Sequence, residues 1–64
     1  MKDTLIIVPT FNEIDNIELL LAAIFNRYQE VHVLVVDDNS PDGTAEKVSS
    51  ITNKFPKQLF IASF

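Results

Sequence analysis

The apolar residues of this chain fall into three short continuous runs, separated by stretches of helical spacing. The runs cover residues 5–8, 31–36 and 59–62. Because they are continuous rather than alternating, and rich in β-branched residues, they predict parallel strands that are buried on both faces of a sheet. Pro9 closes the first run. His32 is expected to be an early strand residue rather than a metal ligand or a base.

Two helices are predicted between these strands. In the first, apolar residues recur at i, i+3, i+4, i+7 and i+11, which defines one helix face. These residues are Ile17, Leu20, Leu21, Ile24 and Tyr28. Asn12 is the predicted N-cap of this helix. In the second helix Ser40 is the predicted N-cap, Pro41 takes the first helical position, and Pro56 stops the helix. Its apolar positions are Ala45, Val48, Ile51 and Phe55.

The predicted order of elements is therefore β-α-β-α-β. Connections between parallel strands are right-handed. In the mononucleotide-binding half of a doubly wound sheet the strands are expected in the order 3-2-1. The predicted fold class is α/β, one half of a doubly wound, Rossmann-like parallel sheet. Residues 1–64 are expected to form a single α/β unit. A chain of 64 residues without cysteine has a small core and no disulfide, so its stability is expected to be marginal.

Composition narrows the class of partner. The formal net charge is -4 and the five Lys and Arg residues are scattered, which argues against nucleic acid as a partner. No apolar run approaches the roughly 20 residues of a membrane span, and the N-terminus does not resemble a signal peptide. A cytoplasmic location is therefore the expectation from the sequence.

Polar residues cluster after the first and second predicted strands. Residues 9–13 follow the first strand and residues 37–42 follow the second. Ligands of open parallel sheets bind beyond the carboxyl ends of the strands, so these clusters are candidates for a site. Asp37 and Asp38 point to opposite sides of the second strand, and Asp37 is favoured as the ligand contact. The pair by itself fits a turn cap with a solvated neighbour equally well.

The other candidates in these clusters also have structural interpretations. Glu13 fits the negative charge that a helix N-terminus favours, and Phe11 either stacks on a planar base or folds over the end of the sheet. Residues 38–43 imitate the start of a calcium loop, but Ser49 stands where that loop needs glutamate. The glycine fingerprint of dinucleotide sites is missing. A phosphoacceptor domain is a weaker alternative, because its acidic pair normally follows the first strand.

Two segments together resemble a known family. They are Leu-Ile-Ile-Val-Pro-Thr-Phe-Asn-Glu at residues 5–13 and Val-Leu-Val-Val-Asp-Asp-Asn-Ser-Pro-Asp-Gly-Thr at residues 33–44. They closely resemble the family 2 glycosyltransferases of the GT-A fold. The second segment is most similar to the dolichol-phosphate mannosyltransferases and their polyprenyl-phosphate relatives. The resemblance extends over essentially the whole chain.

The resemblance implies a reaction and a set of contacts. Such enzymes move a hexose, mannose from GDP-mannose or glucose from UDP-glucose, to a polyprenyl or dolichyl phosphate at the cytoplasmic membrane face, with Mg²⁺ or Mn²⁺. By motif position, Pro9, Phe11 and Glu13 would contact the nucleotide, and Val35 and Asp37 its base or ribose. Asp38, which strand alternation turns to the other side, is expected to support the loop or a neighbouring group. Phe11 stands where tyrosine is commoner in this group.

The departures from the family pattern limit what these residues are expected to do. The metal-binding Asp-x-Asp motif and the acceptor region of the family lie downstream of the matching segments, so no catalytic or metal-binding residue is assigned here. The resemblance therefore implies that residues 1–64 are a single incomplete nucleotide-sugar-binding unit, the N-terminal part of a larger catalytic domain. They are expected to be inactive alone. The strand between Leu5 and Val8 would leave its outer edge unpaired, which predicts a homo-oligomer. The alternative is a truncated or designed α/β module whose main property is self-association.

Overall fold

The computed structural model describes residues 3–64. Its three strands are β1 (Leu5–Thr10), β2 (His32–Asp37) and β3 (Leu59–Ser63), and its two α-helices are α1 (Ile17–Arg27) and α2 (Thr44–Ile51). The strands form one parallel sheet in the order β1-β2-β3, with β2 in the centre. The predicted α/β class, the element order and the strand order are confirmed.

The core lies between the sheet and one layer of helices. Right-handed crossovers that step in one direction along a sheet place both helices on the same face. Alternate residues of β2, including Val33 and Val35, point into this layer and are fully buried. They pack against Leu21 of α1 and Val48 of α2, and Phe25 stacks on Phe55 with ring centroids 4.4 Å apart. This layer contains the apolar surface that the fold buries most completely.

The opposite face of the sheet is not covered within residues 3–64. Leu5 and Ile7 are 54% and 60% exposed, and Phe60 is also exposed. The prediction that the three apolar runs are strands buried on both faces was therefore wrong for the described residues, because both helices lie on the same side. On this face β1 and Phe60 of β3 are exposed, and β2 is half-buried. A shallow depression of about 410 Å³ on this face is lined by Asp3, Thr4, Leu5, His32, Leu34 and Phe60.

Both helices begin later than predicted. The N-cap of α1 is Asn16 rather than Asn12, and Asn12 has a left-handed backbone with φ 55°. The N-cap of α2 is Gly43, with φ 91°, rather than Ser40. The polar residues that were predicted to cap the helices instead make contacts between the two loops. The α-helical part of α2 ends at Ile51, followed by a 3₁₀ turn over Thr52–Lys54.

Neither α1 nor α2 has the length and apolar character needed to cross a membrane, and these are the α-helices of residues 3–64.

Candidate functional site

The loops that follow β1 and β2 meet at the carboxyl edge of the sheet. Thr10 and Asp37 are register partners at the ends of the two strands. The backbone N–H of Asp38 donates to the carbonyl of Thr10 at 3.1 Å, which extends the pairing by one step. The expectation that the two polar clusters lie close together is confirmed.

Asp37 is fully buried, and its carboxylate lies at the junction of the two loops. Its Oδ1 accepts hydrogen bonds from Thr10 Oγ1 at 2.7 Å and from Ser40 Oγ at 2.6 Å, and its Oδ2 accepts from Ser40 N at 2.9 Å. Burial alone would raise the pKa of Asp37, but the bonds from Ser40 and Thr10 outweigh it and hold that pKa below its ordinary value. The carboxylate is therefore charged at neutral pH and stabilised from within the protein.

Asp42 forms a second junction on the far side of the same loops. Its Oδ2 accepts from Ile14 N at 3.1 Å, and its Oδ1 accepts from Thr44 N at 3.0 Å and from the Thr44 hydroxyl. Thr44 Oγ1 in turn accepts from Glu13 N at 3.0 Å. The Thr44 hydroxyl bond is the main cause of the lowered pKa of Asp42, against a smaller opposing effect of burial.

The residues predicted to contact a nucleotide lie at this edge with different exposures. Pro9, Glu13 and Asp38 are exposed, and Phe11 is 56% exposed. Val35 is fully buried, with its side chain in the core. Asp37 and Asp38 do point to opposite sides, as strand alternation predicted. Their roles in binding remain predictions.

Sequence reasoning missed the hydroxyl groups that hold the site together. Thr10 and Ser40 donate to Asp37 at the end of β2, and Thr44 donates to Asp42 in the second loop. The bond between Thr10 and Asp37 could have been predicted, because aligning the ends of the first and second apolar runs places these two residues side by side. Phe64 also joins this edge, because its backbone N–H donates to the carbonyl of Asp37 at 3.1 Å.

The two buried or half-buried aspartates of the edge, Asp37 and Asp42, are engaged by the protein itself. Among residues 3–64 no three His, Asp or Glu side chains come together in a geometry that would hold an ion. Both oxygens of Asp37 and both oxygens of Asp42 already accept hydrogen bonds from the protein. The carboxylates of Asp37 and Asp42 therefore do not fit the Mg²⁺ or Mn²⁺ that the family resemblance implies, and the metal itself stays a prediction.

A parallel α/β unit with polar loops at its carboxyl edge belongs to a class of fold that binds ligands at that edge. Residues 5–63 match the profile of the family described as Glycosyl transferase family 2. The chain therefore belongs to glycosyl transferase family 2.

Three curated relatives have names that combine mannose with a polyprenol or a polyprenyl phosphate. The chain is 38% identical over 58 residues to a polyprenol monophosphomannose synthase of Mycolicibacterium smegmatis, covering 91% of this chain and 22% of that protein. It is 43% identical over 56 residues to a dolichol-phosphate mannosyltransferase of Pyrococcus furiosus, covering 84% and 16% respectively. An undecaprenyl-phosphate mannosyltransferase of Micrococcus luteus is 50% identical over 42 residues, covering 66% and 17%.

The chain thus spans between 16% and 22% of the length of these relatives. No solved structure matches it significantly.

Proposed function

We propose that this chain forms part of the donor site of a hexosyltransferase that moves mannose from GDP-mannose to a polyprenyl or dolichyl phosphate at the cytoplasmic membrane face. Membership of the family supports transfer from a nucleotide sugar. The names of the relatives support mannose and a phosphorylated polyprenol acceptor. The part that we assign to these residues is recognition of the nucleoside diphosphate.

The observation that carries the proposal is the group of exposed side chains at the carboxyl edge. Phe11 offers a ring face on which a base can stack. Glu13 and Asp38 offer exposed carboxylates at the same edge of the sheet. The Watson–Crick edge of guanine carries adjacent N–H donors that pair with one carboxylate, whereas uracil has a single N–H donor. This chemistry favours GDP over UDP.

Calorimetric titration of the full chain with GDP, GDP-mannose and UDP tests this assignment, with and without Mn²⁺. We expect GDP and GDP-mannose to bind more tightly than UDP. Phe11→Ala should weaken GDP binding roughly five- to hundredfold, the range for losing one stacked base. Leu19→Ala is the matched control, because Leu19 is 72% exposed on α1. Absence of heat with every nucleotide at millimolar concentration would refute the proposal.

The carboxylate part of the assignment has its own paired variants. Glu13→Gln should lower the preference for GDP over UDP, because the amide cannot accept two N–H bonds as a carboxylate does. Glu30→Gln is the control, since Glu30 is exposed in the turn before β2, at the other end of the sheet. An unchanged GDP to UDP ratio in Glu13→Gln would remove Glu13 from the site.

We propose self-association through β1 as a second property, because β1 has no strand on its outer side within residues 3–64. His32 N donates to Thr4 O and Asp38 N donates to Thr10 O, so the backbone of the even-numbered residues of β1 faces β2. Successive residues of a strand in a parallel sheet direct their backbone N–H and C=O groups to opposite edges. The N–H and C=O of Leu5 and Ile7 therefore point away from β2, toward the unpaired edge. An exposed strand edge of this kind pairs readily with another copy.

Light scattering and amide exchange together test this second property. We expect a dimer at micromolar concentration, with amide protection of Leu5 and Ile7 that rises with protein concentration. Ile7→Lys should give a monomer, and Leu19→Lys, which places the same charge on an exposed helix position, should not. A stable monomer, or a dimer with fast-exchanging Leu5 and Ile7 amides, would contradict pairing through β1.

A further inference from the structure

The first half of the first loop, residues 12–14, is held by side chains of the second loop and of the first residue of α2. The second half closes a backbone turn, in which the carbonyl of Glu13 accepts from Asn16 N and Ile17 N. Three successive amide groups, those of Asn12, Glu13 and Ile14, donate to side chains 28 to 31 residues further along the chain. None of the three donates to a strand or helix carbonyl. The position of Phe11 and Glu13 therefore depends on side chains that do not themselves have to touch a ligand.

The first of these links runs through Ser40. Asn12 N donates to Ser40 Oγ at 2.9 Å, and Ser40 Oγ donates to the buried carboxylate of Asp37 at 2.6 Å. Thr10 donates to the same Asp37 oxygen. Because the Ser40 hydroxyl has a charged acceptor for its proton, its lone pairs are directed toward Asn12 N. The link holds Asn12 in its left-handed conformation, next to Phe11.

The second link runs through Asp42 and Thr44. Asp42 accepts from Ile14 N, and the Thr44 hydroxyl, which donates to Asp42, accepts from Glu13 N. Each link has the same construction, in which a carboxylate fixes a hydroxyl and the hydroxyl receives a loop amide. Together they fix residues 12–14 before any ligand arrives.

We propose that Ser40 and Thr44 are positioning residues, which raise the affinity for the donor nucleotide by ordering the loop that carries Phe11 and Glu13. This rests on the proposed function and deepens it. An ordered loop does not have to lose its conformational freedom on binding, so part of the entropic cost is met during folding. Loss of one such link should weaken nucleotide binding about three- to tenfold, the equivalent of one hydrogen bond.

The test combines amide exchange with GDP titration in the full chain. Ser40→Ala should speed exchange of the Asn12 amide without ligand and weaken GDP binding about three- to tenfold, after correction for any unfolded fraction. Ser40→Thr keeps the hydroxyl and should restore both. Ser49→Ala is the matched control, on the exposed side of α2. Thr44→Val, with Thr44→Ser as its rescue, tests the second link by the Glu13 amide if Ser40→Ala does not fold.

Each outcome decides between positioning and its alternatives. Weaker binding with unchanged Asn12 exchange would mean that Ser40 touches the ligand, and it would overturn the proposal. Faster exchange with unchanged affinity would mean a purely structural link and would overturn it as well. If the wild type binds no nucleotide, the proposed function fails. The ordering of the loop is then judged by the exchange of the Asn12 and Glu13 amides alone.

Discussion

Asp37→Asn replaces one carboxylate oxygen with an NH₂ group at the buried junction of the two loops. In one amide orientation the NH₂ group faces Ser40 N, which is itself a donor. In the other it faces the hydroxyls of Thr10 and Ser40, and the Ser40 hydroxyl already accepts from Asn12 N. At least one bond to a charged acceptor is lost in either orientation, which costs about 1.5–3 kcal/mol.

This cost is large for a chain of this length. A domain of 64 residues is expected to have a free energy of unfolding of roughly 3–10 kcal/mol. Urea denaturation followed by circular dichroism at pH 7 should show the midpoint of Asp37→Asn falling by roughly 1.5–3 M, for a slope of about 1 kcal/mol/M. Asp38→Asn, at the adjacent exposed position, should change stability by less than about 0.5 kcal/mol.

The pH dependence gives an independent check on the same residue. The folded-state pKa of Asp37 is lowered, so the stability that its charge provides is fully present above its unfolded pKa of about 3.9. That stability is lost as pH falls through the folded-state pKa. The wild type should therefore lose more stability in acid than Asp37→Asn. Equal midpoints for wild type and Asp37→Asn at pH 7, or parallel losses in acid, would refute the reasoning.

Two further substitutions test the core and the second loop. Leu21→Ala removes a fully buried side chain of α1 and should cost about 2–5 kcal/mol in urea denaturation, whereas Leu19→Ala should cost almost nothing; similar losses would contradict the assigned helix face. Gly43→Ala should cost about 1 kcal/mol by the same measurement, because φ is +91°, a conformation that residues with a Cβ adopt at a cost. The new Cβ adds no clash, since it would lie 3.4 Å from Ile14 Cδ1, an ordinary contact distance. A gain in stability would contradict the left-handed conformation.

The strands were the most predictable part of the fold. A continuous apolar run such as 31–36 is best explained as a buried strand. The helically spaced residues between two such runs predict that each connection contains a helix. Whether a strand is covered on its second face depends on what packs there. The sequence of β1 alone does not tell whether anything packs on its second face. Leu5 and Ile7 are exposed because, within residues 3–64, both helices lie on the other face.

The helix starts and the two loops were less predictable because their polar residues have competing partners. Ser40 is a good N-cap by residue type, but its hydroxyl bonds to Asp37 and Asn12, which is 28 residues away. Such long-range contacts outweigh local capping preference. Strand alternation predicted that Asp37 and Asp38 point in opposite directions. It could not predict which of the two faces the helices, because that depends on the face of the sheet on which both helices pack.

The central claim is that the carboxyl edge of the sheet binds the nucleoside diphosphate of a sugar donor. The most direct measurement is the change in backbone amide chemical shifts of the ¹⁵N-labelled chain as GDP-mannose is added. We expect saturable shifts at residues 11–14 and 35–38, with little change around Leu5 and Phe60 on the uncovered face. No shift at millimolar GDP-mannose, or shifts confined to the uncovered face, would contradict it.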